Sequence, residues 1–267
     1  MSVGRLLGEW HLGAPVASLV AAALAYAIGV RRVRTWPRAR SAAFGAGLAV
    51  LASAMQSGIH TWGERLQAVH MAEHMLVCLL AAPLLAAGAP LTLALRAMRA
   101  GPRRQLAAVL RRAGALVHPA TGCLALSAVL LALHLTPLYE LSARDPLVHA
   151  TAHVALLAAA LMFWAPLLGA LPGRESGSAA RIAAVLALMA PMGALGAILL
   201  TAAPRFPAYE RSAALAGISS AEDERLAGVI MWVGGGMALS LALLAVAGHA
   251  LWQEERRMRR REAVGAG

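Results

Sequence analysis

Residues 70–91 read HMAEHMLVCLLAAPLLAAGAPL, and this stretch decides the fold. After its first five residues, which carry His70, Glu73 and His74, it contains no charged residue. About 20 consecutive apolar residues are needed to cross roughly 30 Å of hydrocarbon as a helix. The stretch is rich in Ala and Leu and lacks the alternation of polar and apolar residues that marks the wall of a membrane barrel. It therefore predicts a membrane-spanning helix that begins with a polar turn.

Six further apolar blocks of similar length accompany this one. The chain as a whole is 60% hydrophobic, with a mean hydropathy of +0.66, whereas a soluble domain is usually nearer half apolar. The seven blocks run roughly over residues 13–30, 41–59, 67–89, 119–136, 147–170, 181–202 and 226–251. We therefore predict an all-α, polytopic membrane helix bundle with about seven transmembrane helices, which forms a single integral membrane domain over residues 1–267.

The basic residues predict how this bundle is oriented. The net charge is +11, and all 24 basic residues are Arg. They form clusters of five or six after the first, third and seventh blocks, and Arg174 and Arg181 flank the loop after the fifth, whereas the other connections contain one to three Arg, mixed with acidic residues. Because cytoplasmic loops of membrane proteins are enriched in Arg and Lys, this alternation predicts an N-terminus outside and a C-terminus in the cytoplasm. Such clusters face anionic lipid headgroups, so we expect the lipid bilayer, and no nucleic acid, as the partner of these charges.

Six of the nine histidines fall near the predicted outer face of the bundle. They come from four predicted spans and are His60, His70, His74, His134, His149 and His153. Ionisable side chains inside a membrane are costly and mark a functional site by default. The other three, His11, His118 and His249, lie near the ends of spans, where we expect structural roles.

The spacing of these histidines indicates a metal site. His70 and His74 are four residues apart, as are His149 and His153, so each pair projects from one face of its helix. Two facing pairs predict a site of four imidazoles, and the remaining two of the six are further ligands or groups that orient the ligands. The candidate supporting groups are Glu73, Cys78, Asp223 and Met231.

The residues alone leave the bound group open. Imidazole binds copper, zinc, iron and nickel, while thiolate and thioether ligands favour monovalent copper. A haem-binding membrane cytochrome is an alternative, because two histidines on facing helices can ligate haem. A scaffold whose histidines form a structural polar network is another. The sequence has no nucleophilic triad, phosphate-binding loop or redox Cys-x-x-Cys motif, so we expect a protein that is not an enzyme.

Several segments resemble the CtaG-type family of multi-span cytochrome c oxidase assembly factors of bacteria, and the resemblance covers most of the chain. It is carried by the opening stretch, by LHLTPLYE (133–140), by HATAHVALLAAALMFWAPLLG (149–169), by GALGAILLTAAPRFPAYE (193–210) and by AEDERLAGVIMW (221–232).

The resemblance implies a function that the spacing does not. It implies a multi-pass protein of the bacterial cell (inner) membrane that assists assembly of a haem–copper cytochrome c oxidase, at the stage of copper insertion. Copper would then be the metal, and oxidase subunits or other copper-handling proteins the partners. The family is also similar to multi-span copper-resistance and copper-uptake proteins, so copper transport is an alternative.

Overall fold

The computed structural model describes residues 8, 10, 13, 15–114, 118–171 and 176–265. Helices make up 85% of the structure, and the residues so described include no strand, which confirms the all-α prediction. The elements are α1 (Pro15–Arg32), α2 (Arg38–Gln56), α3 (Gly58–Gly63), α4 (Gln67–Met75), the π-helical segment π1 (Leu76–Ala81), α5 (Ala82–Ala87), α6 (Pro90–Ala97), α7 (Ala100–Arg112), α8 (Pro119–Leu135), α9 (Leu138–Ser142), α10 (Pro146–Leu167), α11 (Ser178–Thr201), a 3-10 turn (Pro207–Tyr209), α12 (Glu210–Leu215), α13 (Ser220–Val229), π2 (Ile230–Gly234) and α14 (Gly235–Gly265).

Within the described part of the chain, five helical stretches are long and apolar enough to cross a membrane, so the fold is that of a multi-pass membrane protein. They are Pro15–Arg32, Gln67–Ala97, Pro146–Leu167, Ser178–Thr201 and Ser220–Glu262. The other two predicted blocks form the shorter or less apolar helices α2, with 19 residues, and α8, with 17. At 1.5 Å per residue these are about 28 and 26 Å long, close to the thickness of the hydrocarbon layer. The count of seven spans and the orientation stay predictions.

The second predicted block ends earlier than expected. Helix α2 stops at Gln56, and Ser57 adopts an extended backbone with φ −97° and ψ −179°. The Ser57 hydroxyl donates to the Ser53 carbonyl and accepts from the Ile59 N–H at 3.2 Å, so it caps the short helix that follows. His60 therefore lies on α3 and not at the end of the second span. Side-chain bonds of this kind compete with helix continuation.

Proline accounts for the π-helical turn inside the third span. Pro83 has no N–H and its ring clashes with the preceding turn of an α-helix, and π1 ends at Ala81, two residues before it. The Cys78 carbonyl within π1 instead accepts the Trp164 indole N–H at 2.7 Å. A side chain of α10 thus satisfies a backbone group inside the membrane, as proline-containing spans require.

The last predicted block, 226–251, is longer at both ends in the structure. Its start is fixed by a capping box, in which the Ser219 side chain accepts the Glu222 N–H and the Glu222 carboxylate accepts the Ser219 N–H. Its end runs on to Gly265 through a charged segment, where Arg259 pairs with Glu255 at 2.5 Å. Pairs of opposite charge four residues apart stabilise an exposed helix, which an apolar pattern cannot reveal.

The helices pack closely around a core in which α10 lies along α8 and α11 lies against α8, α13 and α14. Gly122 of α8 permits the first contact, since a Cβ there would lie 2.3 Å from the Met162 carbonyl oxygen. All six clustered histidines lie at one end, which we call the histidine end. At the other, the arginine end, Tyr26 donates to the Gly88 carbonyl at 2.9 Å and Trp36 donates to the Tyr26 hydroxyl at 3.0 Å.

Candidate functional site

The six predicted histidines meet in one cluster, although they come from four separate helices. We call this the histidine cluster; it contains His60 of α3, His70 and His74 of α4, His134 of α8, and His149 and His153 of α10. The ring centroids of the two pairs four residues apart lie 4.3 Å (α4) and 4.5 Å (α10) from each other. Across the helices, the ring of His70 lies 5.4 Å from that of His149, and the rings of His74 and His153 are 5.1 Å apart.

Asp223 holds the beginning of the helix that carries the first pair. Its carboxylate, buried at the start of α13, accepts the N–H of Gln67 at 2.7 Å and that of Ala68 at 3.0 Å. These are the first two amides of α4, which have no partner within the helix. The sequence predicted Asp223 as a possible contact of the metal; the structure places it as an N-cap supplied by another helix, which positions His70 and His74.

Glu73 lies beneath the histidines and is fully buried. One of its oxygens, Oε1, lies 3.0 Å from His60 Nδ1 and 3.2 Å from His153 Nε2, so a single carboxylate joins α3 to α10. Its hydrogen bond raises the pKa of His60 above the usual value. Gly63 permits this approach, because a Cβ there would lie 2.9 Å from Glu73 Oε2. Glu73 thus orients the His60 imidazole by a hydrogen bond, the role that outer carboxylates have around metal-bound histidines.

Two histidines have their protonation fixed by backbone carbonyls. His134 Nδ1 lies 2.8 Å from the Leu130 carbonyl oxygen, and His153 Nδ1 lies 3.1 Å from that of His149. A carbonyl can only accept, so Nδ1 of each neutral ring carries the proton. In the neutral ring the lone pair is then on Nε2, the atom that a metal would bind; for His134 this atom has no hydrogen-bond partner, whereas for His153 it faces the Glu73 carboxylate.

The cluster contains buried ring nitrogens that no protein group satisfies. Among the residues that the structure describes, both nitrogens of His74 and the Nε2 atoms of His134 and His149 have no hydrogen-bond partner. His153 Nε2, although 3.2 Å from Glu73, lacks the alignment of a hydrogen bond. In the same part of the chain, no three His, Cys, Asp or Glu side chains are arranged so that they could hold an ion as they stand. Metal binding therefore requires rotation of imidazole rings.

Two tyrosines also border the cluster, and our sequence analysis missed them. The Tyr209 hydroxyl lies 3.4 Å from His70 Nδ1, and the ring of Tyr139 lies 5.2 Å from that of His70 and 5.1 Å from that of His134. Burial raises the pKa of both phenols, so both stay protonated at neutral pH. Each follows a proline closely in a segment between spans, PLY and PAY, and this repeated pattern was the available signal.

The other two predicted supporting residues lie in the apolar core. Cys78 and Met231 are fully buried, one in each π-helical segment, among side chains that include Met71 and Met192. Cys78 lies four residues after His74, but the π-helical segment π1 begins at Leu76, so the α-helical spacing of His70 and His74 does not continue to it.

The remaining three histidines lie away from the cluster or outside the described residues. His118 caps α8 by accepting the Ala120 N–H at 3.2 Å. His249 lies 2.9 Å from Gln253 and stacks on Trp252 at the arginine end. His11 lies outside the described residues.

Comparison with known proteins places the chain among bacterial relatives. It is 29% identical over 271 residues to an uncharacterized protein of Mycobacterium leprae, which covers 95% of this chain and 41% of the relative. Uncharacterized proteins of Mycobacterium bovis and Mycobacterium tuberculosis are each 31% identical over 248 residues, which cover 86% of this chain and 38% of theirs. The chain thus spans about two fifths of the length of the curated relatives it matches. No solved structure gives a significant match.

The family comparison confirms the resemblance seen in the sequence. The family described as cytochrome c oxidase caa3 assembly factor (Caa3_CtaG) matches residues 24–253. The match covers most of the chain, and it includes all six members of the histidine cluster, Glu73 and both tyrosines. This chain therefore belongs to the cytochrome c oxidase caa3 assembly factor family.

Proposed function

We propose that this protein binds copper through its histidine cluster and helps insert it into a haem–copper cytochrome c oxidase during assembly. Membership of an oxidase assembly family supports the assembly role, and that role is not enzymatic. The observation that carries the copper proposal is the set of buried imidazole nitrogens without protein partners.

The free-energy cost of burying ring nitrogens without hydrogen-bond partners favours a metal site over a purely structural polar network. A buried polar atom without a partner costs about 1–3 kcal/mol, and among the described residues four ring nitrogens of this kind belong to three members of the cluster, His74, His134 and His149. In a structural network evolved for stability, such atoms are normally paired. A metal ion satisfies several of them at once, because each coordinated imidazole directs one nitrogen lone pair at the ion.

The spacing of the rings fits four-coordinate binding. Four imidazoles around one ion, with metal–nitrogen bonds of about 2 Å, have ring centroids roughly 5 Å apart. The centroids of His70, His74, His149 and His153 lie 4.3–5.8 Å apart where they are neighbours. Rotation of the rings about their χ angles, without movement of helices, is then enough to direct the nitrogens inward. These four are the primary ligands, with the other two members of the cluster in support.

The proposal of copper over other metals rests on membership of the family and not on the geometry of the cluster. Imidazole alone serves copper, zinc, iron and nickel, whereas the product of assembly is an oxidase that contains copper. Haem, which needs one histidine on each side, leaves most of the six imidazoles without a role. Copper transport would require polar groups that continue toward the arginine end, but beneath the cluster lies the apolar core of α4, α8, α10 and α11.

The distribution of arginines supports an outward-facing site. The arginine end holds the clusters at residues 31–40, 96–112 and 256–261, and such clusters stay in the cytoplasm. The histidine end then faces outward from the bacterial cell membrane, with all seven helical blocks spanning it. From this side the cluster would exchange copper with oxidase subunits or with other copper-handling proteins.

The proposal is tested by the copper content and visible spectrum of detergent-purified protein after anaerobic loading with Cu(I). We compare wild type with His74→Ala, and use His118→Ala as the matched control because His118 lies at the arginine end. We expect copper near stoichiometric in wild type and in the control, and its loss in His74→Ala. A Soret band would show that the cluster binds haem and not copper. An absence of both metal and haem in wild type would support a scaffold whose histidines form a structural polar network.

The assembly step is tested in the native host. In a strain without this protein, expression of His118→Ala should restore the copper content of the purified oxidase, and expression of His74→Ala should not. Full restoration by His74→Ala would separate the assembly role from the histidine cluster.

A further inference from the structure

A water-accessible cavity leads to the histidine cluster from the histidine end. Its volume is about 460 Å³, and it lies between α2, α3 and the segment that joins α9 to α10. The residues of its wall that matter here are Met55, His60, Glu64, Asp145, His149 and Tyr209. Two members of the cluster thus form part of the wall, and the others lie behind them.

Burial of the imidazoles increases with distance from this cavity. The side chain of His60 is 30% exposed and His149 is half-buried, whereas His74, His134 and His153 are at most 2% exposed. The cluster therefore has a shallow part, which solvent reaches, and a deep part, which it does not.

The rings form a continuous series between the two parts. Successive centroids are separated by 5.4 Å from His60 to His149, 4.5 Å from His149 to His153, 5.1 Å from His153 to His74 and 6.1 Å from His74 to His134. At each separation, one ion can contact both neighbours after small ring rotations, since two imidazoles on one ion have centroids roughly 5 Å apart.

The wall of the cavity suits a soft cation. Thioether and imidazole together favour monovalent copper, and Met55 places a thioether in the same cavity as His60 and His149. The carboxylates of Glu64 and Asp145 add negative charge, which attracts cations into a cleft. The guanidinium of Arg144 also lines the cavity, and it is paired with Glu140.

We infer that this cavity is the uptake and exchange site of the protein, where Met55, His60 and His149 receive Cu(I) before it moves from ring to ring to His74 and His134. The inference rests on the proposed function and adds a route and an order of binding to it. Each step forms one copper–ligand bond as another breaks, so the oxidation state does not change and no electron donor or acceptor is needed. Return along the same series delivers the ion to a recipient at the histidine end.

The inference is tested by the rate of loading, measured apart from the amount loaded. Cu(I) is supplied as its bicinchoninate complex under anaerobic conditions, and the decay of the complex is followed by stopped-flow absorbance. Ala150→Trp places an indole in the cavity, because Ala150 is an exposed part of its wall. Val154→Trp is the matched control: it lies one turn along the same helix, is 68% exposed and is not part of the wall.

We expect Ala150→Trp to load about tenfold more slowly, since mutants of one binding route differ by one to three decades in association rate. Its final copper content should equal that of wild type, and Val154→Trp should match wild type in both rate and content. Ala143→Trp, in an exposed loop on the same wall, repeats the test in case the first variant fails to fold. Loading of both wall variants at the wild-type rate would overturn the route while leaving the proposed function intact. Failure of wild type to bind copper would overturn both.

Discussion

Removal of the Asp223 carboxylate tests how the first histidine pair is positioned. Asp223 accepts the N–H groups of Gln67 and Ala68 at 2.7 and 3.0 Å and is 1% exposed. Hydrogen bonds to a charged group contribute about 1.5–3 kcal/mol each, and an orphaned buried amide adds its own penalty. Relief of the buried charge offsets part of this loss. We therefore expect Asp223→Ala to lower the free energy of unfolding by about 2–4 kcal/mol.

The chain contains a matched control for this substitution. Asp145 caps α10 in the same way, accepting the N–H groups of Leu147 and Val148 at 2.8 and 3.1 Å, but it is exposed and caps its own helix. Loss of such a cap costs about 1 kcal/mol. Thermal unfolding is measured in detergent at one scan rate for all variants, because membrane proteins often unfold irreversibly. The unfolding temperature should decrease much more for Asp223→Ala than for Asp145→Ala. Asp223→Asn, which keeps an acceptor oxygen, should fall between wild type and Asp223→Ala. Equal decreases for both alanine variants would refute the buried inter-helix cap.

Three further outcomes are expected. Glu73→Gln should weaken copper binding by about 10–100-fold, as loss of a carboxylate that orients metal-bound histidines does elsewhere. The affinity is measured by competition with a Cu(I) chelator, and an unchanged affinity would show that Glu73 does not support the site. Gly122→Ala should lower the unfolding temperature, because its Cβ would lie 2.3 Å from a carbonyl oxygen of α10. Gly45→Ala, whose Cβ would have nothing within 4 Å, should leave the unfolding temperature unchanged. Equal unfolding temperatures of the two variants would contradict the close helix contact. In a variant without the native cysteines, a membrane-impermeant maleimide should label Ala143→Cys in intact cells and Gln105→Cys only after permeabilisation, and the reverse result would invert the orientation.

The helices could be predicted from the sequence because apolar length is a local property. Every predicted block corresponds to a helix, and most boundaries agree within a few residues. The prediction was wrong about the end of the second block, where the Ser57 hydroxyl satisfies backbone groups that would otherwise continue the helix. It also missed the charged extension of α14, because ion pairs and not apolar residues stabilise that segment.

The histidine cluster could be anticipated because two patterns coincide. Spacing by four residues places each pair on one face of a helix, and the alternation of arginines assigns all four contributing segments to the same end. The structure brings the six side chains together. The identity and number of the ions stay proposals, since spacing determines which rings are neighbours but not what they bind.

The groups that support the cluster could not be predicted because their contacts join distant parts of the chain. Asp223 caps a helix that begins 156 residues earlier, and Tyr209 approaches His70 across 139 residues. Local patterns describe a helix and its faces; they do not show which carboxylate lies against its first amides. Gly63 illustrates the same limit, since its lack of a side chain matters only through the nearby Glu73.

The most direct measurement of the central claim is X-ray absorption at the copper edge of protein loaded with Cu(I). Our account expects nitrogen ligands at about 2 Å with the outer-shell scattering typical of imidazole, and loss of this signal in His70→Ala/His74→Ala. Copper coordinated without imidazole, or an unchanged spectrum in the double variant, would contradict the assignment of the histidine cluster as the copper site.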